Sequence, residues 1–444
     1  YAQTSTEDWG FDNRSSGRSR CEINEINIHN NFYRDNDAIY GNTFSNRTFT
    51  EEINLTNSLF DIYNCPESNV TGVWVDILTE ADPNYSGSQG DLCAINDDIW
   101  ISSTGNNFNG DGTSNNPLKT ISFALEIIAP NDENPVNIYI DEGTYSPSLT
   151  GEIFPLTIQS NINIYGNGNN ETILDAEQTS TLFIFSNSSN SSVSSLKIYN
   201  GMRNDYSGGG IFAINSNIQF YSIEISNNMS SFSGGGAFID NSILHFQSTI
   251  FSENYSMNSG GGLAIFNQSE ILMENVQIYQ NLSDHSGGGI FAYGPNLDLN
   301  IYNSYIFENN ANFDGGGLFS NMSVINLDNI HIHENHTQGS GGGFAFSDSD
   351  IILNNLIINN NSSDFSGGGG FFNLTNISIN NIQLYENSSG HSGGGISFFE
   401  SNGIINQITV LKNVANYLDD INYPHHGGGV FIDSSPNLYI VNSI

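Results

Sequence analysis

Residues 234–260 read GGGAFIDNSILHFQSTIFSENYSMNSG, and this stretch decides the fold. A glycine triplet opens it. Short runs rich in β-branched and aromatic residues follow: Ala237-Phe238-Ile239, Ser242-Ile243-Leu244-His245-Phe246 and Ser248-Thr249-Ile250-Phe251. Asn, Ser and Gly separate them. No run has the length or the three-to-four spacing of an amphipathic helix, so the unit reads as three short strands joined by turns. Asn254 closes it six residues before the next triplet.

The unit recurs. Glycine triplets start at Gly208, Gly234, Gly260, Gly287, Gly315, Gly341, Gly367, Gly393 and Gly427, with successive gaps of 26, 26, 27, 28, 26, 26, 26 and 34 residues. In step with them, an apolar residue, two variable residues and an Asn end each unit, at Asn228, Asn254, Asn281, Asn309, Asn335, Asn361, Asn387 and Asn413. Fixed-period self-similarity predicts a stacked repeat. Three strands per unit without a helix predict an all-β, right-handed parallel β-helix, whose coils satisfy one another's backbone groups at about 4.8 Å per coil. Glycine supplies positive φ or room for a close backbone, and the Asn suits a left-handed turn. Stacked at one coil position, the asparagines are expected to form a hydrogen-bonded ladder.

Gly261-Gly262-Leu263 and Phe251-Ser252-Glu253-Asn254 resemble the repeats of the polymorphic outer membrane proteins of chlamydiae. The resemblance covers roughly residues 198–444 and implies a surface-exposed β-helix. Most other units depart from it, with Ile or Leu in place of Phe. Upstream, residues 99–175 resemble the start of secreted β-helix proteins of the pectate-lyase-like class. Ile99-Trp100-Ile101 is followed by a polar turn and by residues 118–129 (LKTISFALEIIA), the one helical pattern, ended by Pro130. This helix is expected to cap the open end of the stack, where an uncovered edge invites pairing. The division is therefore 1–97, a polar β-rich region of unreadable role; 98–135, entry strand and capping helix; and 136–444, the β-helix, with its repeats from about 198.

Nine Lys plus Arg stand against 47 Asp plus Glu, a formal charge of −38. Repulsion of this size excludes nucleic acid and anionic membranes as partners. No apolar run approaches the roughly 20 residues that span a bilayer, so no membrane insertion is expected. The three cysteines, Cys21, Cys65 and Cys93, permit one disulfide in an oxidising compartment. The expected location is secreted, extracellular or at the cell surface.

Candidate sites are few. Between Arg203 and Lys412 there is no Lys or Arg, so the coils lack the cationic base of a polysaccharide lyase. Glu253, Glu308, Glu334 and Glu386 recur in phase and read as a solvated stripe, so no catalytic residue is assigned. Asn107, Asn109 and Asp111 imitate a calcium loop, but its twelfth ligand position is Leu118, and a plain turn is favoured. The insertion between Asn413 and Gly427 holds Asp419, Asp420, His425 and His426, a candidate ligand loop for Ca or another divalent ion; a ligand-free loop is favoured, and no cofactor is expected. Two residues before the triplets stand Tyr206, Phe232, His285, Phe313, Phe365, His391 and His425. Exposed, they would form a sugar-binding ridge; core or turn packing is the preferred reading. Six of the eight unit-ending asparagines (Asn228, Asn254, Asn281, Asn335, Asn361 and Asn387) are also Asn-x-Ser/Thr sequons, and a ladder asparagine cannot carry a sugar. The ladder is preferred. The chain stops within an apolar strand, which points to end-to-end self-association or to further sequence. The expected function is a structural or adhesive extracellular protein, with an end-to-end filament subunit within that class. The alternative is a carbohydrate-binding or polysaccharide-degrading protein, acting on glycans or cell-surface polysaccharide.

Overall fold

The computed structural model describes residues 97–107, 109–416 and 427–442, together with five short strands further upstream. Two compact units result: Tyr1–Asn96 with Glu126–Ala129, and Asp97–Leu125 with Pro130–Ile444. In the first unit, Glu25–Asn27 pairs in parallel with Glu52–Asn54, and Ile53 in turn with Tyr85. The Glu25↔Glu52 pairing spans 27 residues (52 − 25), close to one coil of the second unit. No glycine triplet announces it. Cys21, Cys65 and Cys93 lie outside the described residues.

The second unit is an all-β parallel solenoid of about 11 coils, roughly 26 residues each, as the repeats predict. One coil shows the plan. A leading strand, Ile211–Ile214, is followed by a middle strand, Asn217–Tyr221, and a trailing strand, Glu224–Ser226. Each pairs in register with its counterpart in the next coil, as Ile211 with Ala237, Ile218 with Leu244 and Ile225 with Phe251. A fourth, two-residue strand, Met229–Ser230, goes beyond the three expected, and its counterparts form a nine-stranded parallel sheet. Alternate residues point inward, so Ile211, Ala237, Leu263, Ile290 and Leu318 stack without solvent exposure. Burying each Ile or Leu side chain among them contributes about 1.5–3 kcal/mol, and Ala237 less. The gaps of 27 and 28 residues place their surplus between leading and middle strands, where Gly294, Pro295 and Asn296 lie at the register shift between Tyr293 and Leu297, whereas the 34-residue gap places its surplus between Asn413 and Gly427.

Three left-handed residues turn most coils. Asn215 (φ 51°), Ser222 (52°) and Asn227 (55°) do so in the coil above. At the third bend, the residue before each unit-ending asparagine takes positive φ, as Glu253 (55°), Glu308 (53°) and Glu334 (57°) do. The expectation that the asparagine itself adopts the left-handed turn is therefore corrected. Its side chain must point inward to bond, and the residue before it makes the turn. Those glutamates are exposed, in line with a solvated stripe.

The triplet has two separate causes. Gly234 needs its positive φ of 72°. Gly235 needs space, because a Cβ there would stand 2.4 Å from the Tyr255 carbonyl oxygen and 2.5 Å from that of Gly261. The expected helix over 118–129 shortens to Ile121–Ile127. Thr120 caps it, accepting from the Phe123 N–H at 3.3 Å. Glu152, two coil segments later, accepts from the Ile121 and Ser122 N–H groups, both at 2.8 Å.

Candidate functional site

The in-phase asparagines form a buried column. Asn228 Nδ2 donates to Asn254 Oδ1 at 3.0 Å, Asn254 to Asn281 at 2.9 Å, and Asn281 to Asn309 at 2.9 Å. The column continues through Asn335, Asn361 and Asn387 to Asn413. Each Oδ1 also accepts the backbone N–H of the previous coil's asparagine, as Asn309 does from Asn281 at 3.1 Å. The second amide proton goes to the previous coil's apolar residue, from Asn309 to the Ile278 carbonyl at 2.8 Å. The six sequon asparagines among them are at most 1% exposed and have their Nδ2 engaged. This column belongs to the scaffold.

A second column, which sequence reading passed over, lines the first bend. The Ser188 N–H donates to Ser216 Oγ at 3.1 Å, Ser216 N–H to Ser242 Oγ at 3.0 Å, and Ser242 N–H to Ser269 Oγ at 3.2 Å. The signal was present as a serine in phase before most middle strands, replaced by Leu297 and Thr375 in two coils and hidden by the many other serines.

The loop at Asn107–Gly112 is committed to its own turn. Asn107 Oδ1 accepts the Lys119 N–H at 2.7 Å, and Asp111 Oδ1 accepts the Thr113 N–H at 3.0 Å and its hydroxyl at 2.7 Å. These bonds hold the Asp111 carboxyl below its ordinary range. The Asp419, Asp420, His425 and His426 loop lies outside the described residues. Among those described, no cluster of three His, Cys, Asp or Glu side chains is arranged to hold a metal.

The ring position two residues before each triplet departs from the preferred reading. Tyr206 is 53% exposed, Phe232 48%, Phe313 53% and Phe365 61%. Core packing is thus corrected to an exterior ridge. The cause is local: the serine that follows Tyr206, Phe232 and Phe365 is buried, at Ser207, Ser233 and Ser366, which sends its neighbour outward, while half-buried Asp314 follows Phe313. Successive rungs are tied by backbone bonds, Phe313 N–H to the His285 carbonyl at 3.0 Å and Phe365 N–H to that of Gly339 at 3.1 Å. His285 and Phe313 stack face to face with centroids 4.5 Å apart. Beside the ridge, the outward residues of the leading strands form another aromatic file: Phe212 stacks on Phe238 at 5.5 Å, and Phe291 on Phe319 at 5.2 Å. Tyr206 meets Phe212 edge-on, and the Arg203 guanidinium sits over both rings at 5.1 and 4.6 Å.

Two carboxyls are pushed above their ordinary range by burial, Glu152 beside the helix and Asp314 beside the ridge. They stand in widely separated coils, and Glu152 is occupied as a helix cap. On the narrow sheet the Tyr255 hydroxyl donates to Asp284 Oδ2 at 2.6 Å, which pushes the phenol up to about 12. The described surface thus presents stacked rings and acids that include neighbours on adjacent coils, as Glu270 and Asp298 are.

No family model and no curated protein matches the chain. Among solved structures it is similar to the A-module of mannuronan C-5 epimerase AlgE6 from Azotobacter vinelandii, at 12% identity over 70% of this chain and 91% of that one, with a TM-score of 0.42. It is also similar to pectate lyase Pel9A, at 12% identity over 79% of each chain (TM-score 0.34), and to the catalytic domain of a GH87 α-1,3-glucanase, at 15% identity over 70% and 64% (TM-score 0.31). Likenesses this distant carry no functional weight. The chain is an all-β parallel solenoid whose function has to be read from its own exterior.

Proposed function

We propose that this chain is an extracellular adhesive solenoid that holds glycans along the aromatic ridge. One observation carries the reading: four large rings at one repeat position, each about half exposed or more. Flat rings on a rigid support bind the apolar faces of sugar rings and do not pay for ordering themselves. The charge of −38 selects against polyanions, so a neutral or cationic glycan is the expected ligand. Binding is non-catalytic in this reading, because the acids beside the rings stand singly. The test is a glycan array with the parent chain and with Phe232→Ala, Phe313→Ala and Phe365→Ala combined. Retention of neutral glycans by the parent and its loss in the folded triple variant are expected. Equal retention by both would refute the reading.

End-to-end self-association is a second reading, and electron microscopy of the unliganded protein tests it: fibres support end-to-end assembly, and isolated rods oppose it.

A further inference from the structure

We infer that the ridge contains a built subsite for one neutral pyranose ring, at the rung of Gly339 between Phe313 and Phe365; this rests on the glycan-binding reading above. Where rings occupy adjacent rungs, one ring per rung stacks, as His285 and Phe313 do at 4.5 Å. His285 covers one face of Phe313, and the other face looks along the stack toward the next rung. That rung has no side chain, because its residue is Gly339. Phe365 follows on the rung beyond, 61% exposed. Phe313 and Phe365 are therefore two coil rises apart, about 9.6 Å, and one ring placed midway lies about 4.8 Å from each. That separation is within the range for ring stacking.

The wall of this gap is also exceptional. The residue before the glycine triplet is serine at Ser207, Ser233, Ser259, Ser286, Ser340, Ser366 and Ser392, whereas the Phe313 rung has Asp314. Its Oδ1 accepts the Ser340 N–H at 2.7 Å. Oδ1 stands 2.6 Å from the point that a Cβ on Gly339 would occupy, with the Phe313 carbonyl carbon at 2.8 Å and its oxygen at 3.0 Å, so the carboxyl and the Phe313 backbone border the rung that lacks a side chain. Its other oxygen, Oδ2, has no hydrogen-bond partner among the described residues. Two stacking faces and one carboxylate acceptor between them suit a ring with apolar faces and equatorial hydroxyls. A planar aromatic ligand would leave the acceptor unused. A polyuronate would bring its carboxylates against Asp314 and the net charge.

The experiment uses the full chain and three probes, namely methyl pyranosides of neutral sugars and their di- and hexasaccharides, read by saturation-transfer NMR and titration calorimetry. Asp314→Ser restores the residue of the other coils, so folding should be retained, which circular dichroism checks. A single pyranoside should bind the parent, with about tenfold or greater loss in Asp314→Ser and in Phe365→Ala, and no change in Phe232→Ala. Binding that grows with chain length, falls equally in Phe232→Ala and Phe365→Ala and ignores Asp314→Ser would overturn the subsite while leaving the ridge reading intact. Absence of binding by every probe would overturn both.

Discussion

Replacing Asn309 by Ala removes one rung from the middle of the asparagine column. Asn309 is not a sequon, so the change has no glycan side effect. Its Nδ2 donates to the Ile278 carbonyl at 2.8 Å, the Phe307 carbonyl at 3.0 Å and Asn335 Oδ1 at 3.0 Å. Its Oδ1 accepts the Asn281 N–H at 3.1 Å and Asn281 Nδ2 at 2.9 Å. After truncation the Asn281 N–H is buried without an acceptor, a cost of about 1–3 kcal/mol. The other bonds lose about 1 kcal/mol each, partly offset because Asn335 Oδ1 keeps the Asn309 N–H at 3.0 Å. Nδ2 has two protons to share among its three acceptors, so with the bond into Oδ1 these add about 3 kcal/mol, and the sum is about 4–6 kcal/mol, at the upper end for one residue. Because neighbouring coils are the main contacts of any coil, the loss should be local, splitting the stack into two cooperative blocks. Hydrogen exchange by mass spectrometry should show faster exchange over the coils around Asn281, Asn309 and Asn335, with the end coils unchanged. Urea unfolding should lose its single transition. A variant within about 1 kcal/mol of the parent, with unaltered exchange at these coils, would refute the argument that the column holds the third bend together.

Gly235→Ala should be more damaging than any exposed Gly→Ala change, because its Cβ meets two carbonyl oxygens at 2.4 and 2.5 Å; failure to lower the melting temperature would show that the coils can separate locally. Glu152→Gln keeps one acceptor for the helix N–H pair and turns the other into a donor facing a donor, so it should cost about 1–3 kcal/mol near neutral pH. Burial raises the Glu152 carboxyl above its ordinary value, so the folded chain holds the extra proton between the two pKa values, and its contribution to stability falls as pH rises through that window. The difference in melting temperature between parent and Glu152→Gln should therefore shift toward the variant as pH rises from the ordinary carboxylate range; a difference that shifts the other way would contradict the assignment. When the chain is expressed in a glycosylating secretory host, peptide mass spectrometry of the folded protein should find sugars at exposed sequons such as Asn187, Asn267 and Asn376 and none at Asn254, Asn281 or Asn335. A sugar on any of these three in folded material would refute the buried column.

The winding was legible because it is written in phase: one period carries the glycines, the asparagines and the inward aliphatics. Glycine position and asparagine position each answer to a single backbone requirement, so repetition reveals them. The left-handed residue was misplaced by one because Asn227, Glu253, Gln280 and Glu308 share a backbone angle and little side-chain chemistry. Glu152 was illegible for a different reason. It caps a helix that begins 31 residues earlier, and only the return of the chain places its oxygens there. The ridge was found as a position but given the wrong side. Aromatic residues face inward at Phe220, Phe246 and Phe251 and outward at Phe313 and Phe365, and composition alone does not tell them apart.

Repeats within one chain work as an internal comparison. Positions that recur unchanged are the ones every coil needs, and these point inward or make the bends. Outward positions are free of that demand, so an exception outside has no cause in the winding. Asp314 departs from seven serines at a position that turns inward in most coils, and Gly339 departs from a file that carries rings at Phe313 and Phe365. They fall on successive rungs, and the carboxyl of one stands where a side chain on the other would begin. Serine would serve the backbone at Asp314, as the 3.3 Å bond from the Ser233 N–H to Ser207 Oγ shows. The substitution therefore adds a charge that the coil does not require, beside a glycine whose Cβ would meet that carboxyl at 2.6 Å and the Phe313 carbonyl carbon at 2.8 Å. These two departures meet between two exposed rings, which makes this the first place on the solenoid to look for a ligand.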